Sequence, residues 1–183
     1  MKFPYFSQPD SMDCGITCLK MISNYYGKDY SIEYLRERCF AAKDGVSLLY
    51  ISKTAEELGF KTIGGRINYE KLINEAPLPC ILHWQQEHFV VLYKVNKRKK
   101  IFYISDPGKG LITYNIEEFK NAWLSTKSSN EEKGVALFFE PTAAFYNGKS
   151  ETSKVKNLSF VLKYFVKYKK FFLTSNSNAD KNR

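Results

Sequence analysis

Histidine is the scarcest chemistry-bearing residue of this sequence: 183 residues include only two, His83 and His88. Neither lies near Cys14 and Cys18 in sequence, and those two thiols lack the spacing of a zinc site, so no metal or other cofactor is expected. The four cysteines, Cys14, Cys18, Cys39 and Cys80, show no paired spacing of a small disulfide scaffold. A chain of this length builds its own core, and free thiols are expected. The opening residues lack the apolar run of a secretory signal, because Pro4, Ser7, Gln8 and Asp10 interrupt it; no signal peptide and a cytosolic start are expected. The residues contain no internal repeat, no apolar run of the roughly 20 residues a bilayer span needs, and no Gly-x-x-x-x-Gly-Lys-Ser/Thr phosphate loop.

What the chain does have is a globular composition, with 44% hydrophobic, 16% aromatic and 26% charged residues. Disorder is excluded for the body, and the length suits one core with an appendage. The formal charge of +9 suggests nucleic acid until it is divided along the chain. Residues 1–148 hold 19 Lys+Arg against 17 Asp+Glu, whereas residues 149–183 hold 9 against 2. The excess belongs to the tail, and the run Lys97-Arg98-Lys99-Lys100 falls in a turn where four charges form a solvated face. No nucleic-acid partner is expected.

Helical periodicity covers residues 13–26, 31–39 and 47–58, with Asp13 and Ser31 as N-caps and Gly27 and Gly59 as stops. The period then changes. Strands are predicted over 60–67, 80–85, 88–95, 101–105 and 134–140, with short helices near 69–74 and 116–124. Helices first and an antiparallel sheet afterwards is an α+β pattern. Residues 1–145 are read as one domain and 146–157 as a polar linker. Residues 158–173, with Leu158, Val161, Leu162, Phe165, Tyr168 and Phe172 on one stripe among four lysines, form a basic amphipathic segment suited to lying on a membrane surface. Residues 174–183 are read as a disordered tail.

Cys14 opens the first helix, where free N–H groups and the positive helix end stabilise a thiolate, as a nucleophile requires. Gly15 would let a substrate carbonyl approach the backbone, and Gln8, six residues upstream, could add a side-chain amide to the Cys14 N–H as a second oxyanion donor. Cys18, one turn further, reads as packing. A thiol nucleophile also needs an imidazole with an orienting group behind it. His88 begins a strand, where one side chain can project into a cleft, whereas His83 lies inside an apolar strand and reads as structural. Asp106 ends the following strand in Asp-Pro-Gly, which is ordinary turn chemistry and also a place from which a carboxylate could hold the imidazole.

Gln8-Pro9-Asp10-Ser11-Met12-Asp13-Cys14-Gly15-Ile16-Thr17-Cys18-Leu19, Tyr25-Tyr26-Gly27, His88-Phe89-Val90-Val91-Leu92 and Asp106-Pro107-Gly108, in that order, resemble the bacteriocin-processing peptidase domain of peptidase-containing ABC transporters. The resemblance covers about residues 1–145. It implies a papain-like cysteine peptidase fold and removal of a leader ending in Gly-Gly on the cytoplasmic face of the cell membrane, coupled to export. It also implies roles for Cys14 as nucleophile, His88 as general base and acid, Asp106 as orienter and Gln8 as oxyanion donor. The implied partners are the leader peptide and a transporter membrane domain, in the same or a separate chain, with residues 158–173 similar to the interfacial segment before a first transmembrane helix. A catalytically silent leader-docking module and another thiol hydrolase or acyl transferase on the same scaffold are the alternatives.

Overall fold

The periodicity of the first third resolves into helices with the expected stops, and with the expected cap at Ser31, in a computed structural model that describes residues 2–39, 47–128, 131–148 and 152–153. The segments expected over 158–173 and 174–183 lie outside the described residues. A 3-10 turn at Ser11–Asp13 leads into α1 (Cys14–Tyr25), which stops at Gly27 with φ 100°. After β1 (Lys28–Asp29), α2 (Ile32–Arg38) is capped by Ser31, whose hydroxyl accepts from the Tyr34 N–H at 3.1 Å. Ser47 caps α3 (Leu48–Glu57), and Gly59, at φ 94°, ends that region.

The strands follow. They are β2 (Phe60–Asn68), β3 (Cys80–Trp84), β4 (His88–Asn96), β5 (Ile101–Asp106), β6 (Gly110–Tyr114), β7 (Thr126–Ser128) and β8 (Glu131–Pro141), with α4 (Tyr69–Asn74) and α5 (Ile116–Trp123) between them. All pairings are antiparallel, in the order β2-β8-β3-β4-β5-β6, with β7 on β8. The last long strand is therefore inserted between β2 and β3, a long-range pairing that periodicity does not reveal.

Both faces of the sheet are covered, which explains why its central strands read as unbroken apolar runs. On one face Ile81, Phe89, Val91, Leu137 and Phe139 pack against Ile16, Leu19 and Ile22 of α1 and Ile51 of α3. Their neighbours Leu82, Val90, Leu92, Ala136 and Phe138 face the other way, onto Leu72 of α4 and Phe119 and Trp123 of α5. The α+β arrangement with the N-terminal helices on an antiparallel sheet holds, and the second face has helices of its own.

Structure continues past residue 141. The short α6 (Ala143–Asn147) buries Phe145 fully, its ring centroid 4.2 Å from that of Phe60. The Lys28 ammonium donates to the Gly148 carbonyl, and β9 (Thr152–Ser153) pairs with β1. So α6, which runs from the end of the 1–145 domain into the stretch read as linker, and β9, inside that stretch, both pack back onto the domain; neither is long enough to show a period.

Gly59 is where that return is tightest. A Cβ there would stand 2.3 Å from the Phe145 backbone nitrogen, on a residue already in the left-handed region. Gly59→Ala is expected to lower the free energy of unfolding by about 1–3 kcal/mol in urea titration, through overpacking and φ strain together. A change below about 0.5 kcal/mol, the range of an ordinary surface substitution, would contradict this packing.

Candidate active site

Antiparallel pairing brings the start of β4 and the end of β5 to the same edge of the sheet, and the N-terminus of α1 lies over that edge. Two side-chain contacts set the helix there. The Cys18 thiol donates to the Phe89 carbonyl at 3.3 Å, one residue from His88. The Ser105 hydroxyl donates to the Met21 sulfur at 3.0 Å, one residue from Asp106. Cys14, one turn before Cys18 and 8% exposed, therefore sits beside both strand ends.

His88 Nε2 and Asp106 Oδ1 are 2.8 Å apart. The same oxygen accepts from the Gly108 N–H at 2.9 Å. With Nε2 taken, Nδ1 is the ring nitrogen left for Cys14, which lies close enough to act on the His88 charge. Burial alone would pull the imidazolium down. Hydrogen bonds to Asp106 and Cys14 and their charges outweigh it and raise His88 to about 9. Burial acts against the Asp106 carboxylate too, and the His88 and Gly108 hydrogen bonds outweigh that and hold it below its ordinary range. Gln8 is fastened to the same turn, its N–H donating to the Pro107 carbonyl at 3.0 Å. Its buried Oε1 has no hydrogen-bond partner and lies 3.7 Å from where a Cβ on Gly108 would stand. The structure thus gathers His88, Asp106 and Gln8 around one turn and brings Cys14 against His88.

This constellation lies within residues 2–142, which match the sequence model of the Peptidase C39 family. The chain belongs to that family. It is similar to a solved double glycine motif protease from an AMS/PCAT transporter in complex with the leader peptide, with 35% identity, a TM-score of 0.68, and coverage of 77% of this chain and 93% of that one. The solved peptidase domain of Streptococcus ComA, a bifunctional ABC transporter of a quorum sensing pathway, shares 27% identity with a TM-score of 0.64 over 77% of this chain and all of that one. Among curated relatives, the lactococcin-G-processing and transport ATP-binding protein LagD of Lactococcus lactis is 35% identical over 91% of this chain. The colicin V secretion/processing ATP-binding protein CvaB of Escherichia coli is 30% identical over 82% of it. The chain spans 22% and 20% of those two proteins. Family and fold together make this a cysteine peptidase domain of papain-like architecture.

Several expectations about individual residues of this C39 domain change. Gly15 faces inward: a Cβ there would stand 2.5 Å from Ile51 Cδ1 and 3.2 Å from Phe89, so its role is close approach of α1 to α3 and β4. Asp13 occupies the N-cap position of α1 without capping it through its side chain. Its buried carboxylate instead accepts from Arg36 Nε at 3.2 Å and Nη2 at 2.5 Å, a partner 23 residues away that no local pattern announces. Trp84 packs in the core and is 1% exposed. His83 lies against Phe89 with ring centroids 5.2 Å apart, and burial holds its imidazole below the ordinary range, as suits a structural residue. Among the described residues no three His, Cys, Asp or Glu side chains cluster as metal ligands, and no helix is long and apolar enough to cross a membrane.

The His88–Asp106 pair fixes a pH dependence. His88 is raised from 6.5 to about 9, so its contribution to stability is complete below 6.5 and is lost as pH rises through about 9. Asp106 is depressed from 3.8, so its contribution is present above that value and is lost as pH falls further. In Asp106→Asn the His88 midpoint followed by NMR is expected to fall by about one to three pH units. An unmoved midpoint would mean that the carboxylate is not what holds the imidazolium.

Proposed function

We propose that this C39 domain is the cysteine endopeptidase that removes the leader from a double-glycine-type peptide, such as a bacteriocin, on the cytoplasmic face of the membrane, coupled to export by an ABC transporter. The observation that carries this reading is Cys14 at the start of α1 beside a His88 whose Nε2 stands 2.8 Å from Asp106 Oδ1. A docking module has no use for such a pair. The name of the 35% identical solved relative, which includes its leader peptide, supports the substrate class.

In this reading the Cys14 thiolate attacks the carbonyl carbon of the second glycine, forming the C–S bond, while the Cys14 N–H and the Gln8 amide hold the resulting oxyanion. The His88 imidazolium, oriented by Asp106, gives its proton to the cargo nitrogen as the C–N bond breaks. Water then attacks the thioester, its proton passes to His88, and the leader leaves as a carboxylic acid with the thiol pair restored. Glycine selectivity follows if the channel over Cys14 rejects any Cβ, and leader affinity must then come from a remote apolar surface. Leu49, 60% exposed on α3, and Tyr50 beside it are the candidates. Residues 158–173 serve as the membrane-surface contact toward the transporter domain.

The test is mass spectrometry of a synthetic leader ending in Gly-Gly plus a short cargo, incubated with the reduced protein. Cleavage after the second glycine is expected, with none in Cys14→Ala. Gln8→Ala is expected to remain folded and turn over hundreds-fold more slowly, matching the roughly 3–4 kcal/mol that one oxyanion donor contributes. In Leu49→Asp the KM is expected to rise about tenfold with kcat unchanged. Binding of leader without cleavage by wild type would favour the docking module, and an unchanged rate in Gln8→Ala would remove Gln8 from the oxyanion site.

A further inference from the structure

The residue before the proposed nucleophile is a carboxylate, 4% exposed, at the helix end where a thiolate is to form. Taken alone that is the wrong charge in the wrong place, since a like charge close by disfavours ionisation of the thiol. Asp13 is not left alone. One edge of the Arg36 guanidinium, reaching across from α2, holds it through Nε and Nη2, a bidentate match of arginine to carboxylate. Nothing in the proposed chemistry uses either group.

We propose that Arg36, acting through Asp13, is a positioning residue for Cys14: the bidentate pair keeps the Asp13 charge off the thiolate and fixes the end of α1 from which the Cys14 N–H projects. The inference rests on Cys14 being the nucleophile. Its other charged and titratable surroundings are few. Asp10, from the segment before the 3-10 turn, and Glu33, from α2, act on Arg36; their carboxylates compete weakly with Asp13 for it. Cys18 from α1 and His88 and Asp106 from β4 and β5 surround Cys14 on the sheet side. From α3 the contact with this helix end is the uncharged Ile51. Lys109, past the end of β5, acts on Asp106; Arg36 is the cation paired with Asp13, and removing it leaves a buried anion next to Cys14.

The experiment follows the pH dependence of Cys14 alkylation by iodoacetamide, mapped by peptide mass spectrometry, alongside melting temperature and leader cleavage, in the full chain. Arg36→Gln is expected to move the acidic midpoint of alkylation upward by about one pH unit and to slow labelling at pH 6 about tenfold. The double variant Asp13→Asn/Arg36→Gln is expected to restore the midpoint, even where its melting temperature stays lowered. Asp13→Asn alone, which removes the anion and keeps the cation, is expected to lie at or below the wild-type midpoint. A purely structural brace would lower the melting temperature of Arg36→Gln and leave the midpoint unmoved, which would overturn the proposal. A double variant that keeps the shift would overturn it as well, because the charge of Asp13 would then not be its cause. Alkylation reads the thiolate whatever the substrate is, so failure of the peptidase reading shows separately, as a wild type that does not cleave the leader or as cleavage that survives Cys14→Ala.

Discussion

The site depends on how one helix is seated on one sheet edge. The α1 helix contributes Cys14, while β4 and β5 contribute His88 and Asp106, and no covalent link closer than some seventy residues joins the two parts. Their alignment rests on a few contacts close to the reactive groups. Gly15 lets the helix come down onto Ile51 and Phe89, the Cys18 thiol grips the Phe89 carbonyl, and Ser105 bonds to Met21. Close-packed interiors do not deform continuously. A bulkier side chain at Gly15 would therefore lift the helix as a unit and carry Cys14 away from His88.

Burial weighs on the thiols away from the strand ends. It pushes the Cys18, Cys39 and Cys80 thiols up, since each lies in the core where a thiolate would lose its solvation. Cys14 differs in position: it lies at the open end of a helix, next to an imidazole that Asp106 holds ready to be charged. The turn Asp106-Pro107-Gly108 does two things at once. It returns the Gly108 N–H to the carboxylate, and it offers the Pro107 carbonyl to Gln8, tying the N-terminal segment to the strand that ends in Asp106. The buried Asp106 Oδ2 and Gln8 Oε1 lack hydrogen-bond partners, a local cost of the kind that functional sites carry.

Much of this was legible in the sequence because the signals were local. Ser31, Gly27 and Gly59 mark helix ends through the backbone chemistry of caps and stops, and the three apolar-periodic helices follow. The candidate site was legible through order: Gln8 lies in an irregular segment, and Cys14, His88 and Asp106 each sit at the end of an element. The parts that were not legible depend on tertiary context. Insertion of β8 between β2 and β3 is a long-range pairing. The short α6 and β9 are below the length at which a period shows. Asp13 has the residue type and position of an N-cap, and only the approach of α2 turns its carboxylate to Arg36. Gly15, beside a nucleophile, looks like a site glycine, whereas helical geometry aims that position into the core.

The central claim, that Cys14 alone among the four thiols is activated by His88, is tested most directly by a peptide chloromethyl ketone ending in Gly-Gly, with the adduct located by mass spectrometry. The account predicts a single alkylated residue, Cys14, with Cys18, Cys39 and Cys80 left free, and no adduct on the same timescale in His88→Ala. Labelling of another cysteine first, or a Cys14 adduct that forms as fast without His88, would contradict it.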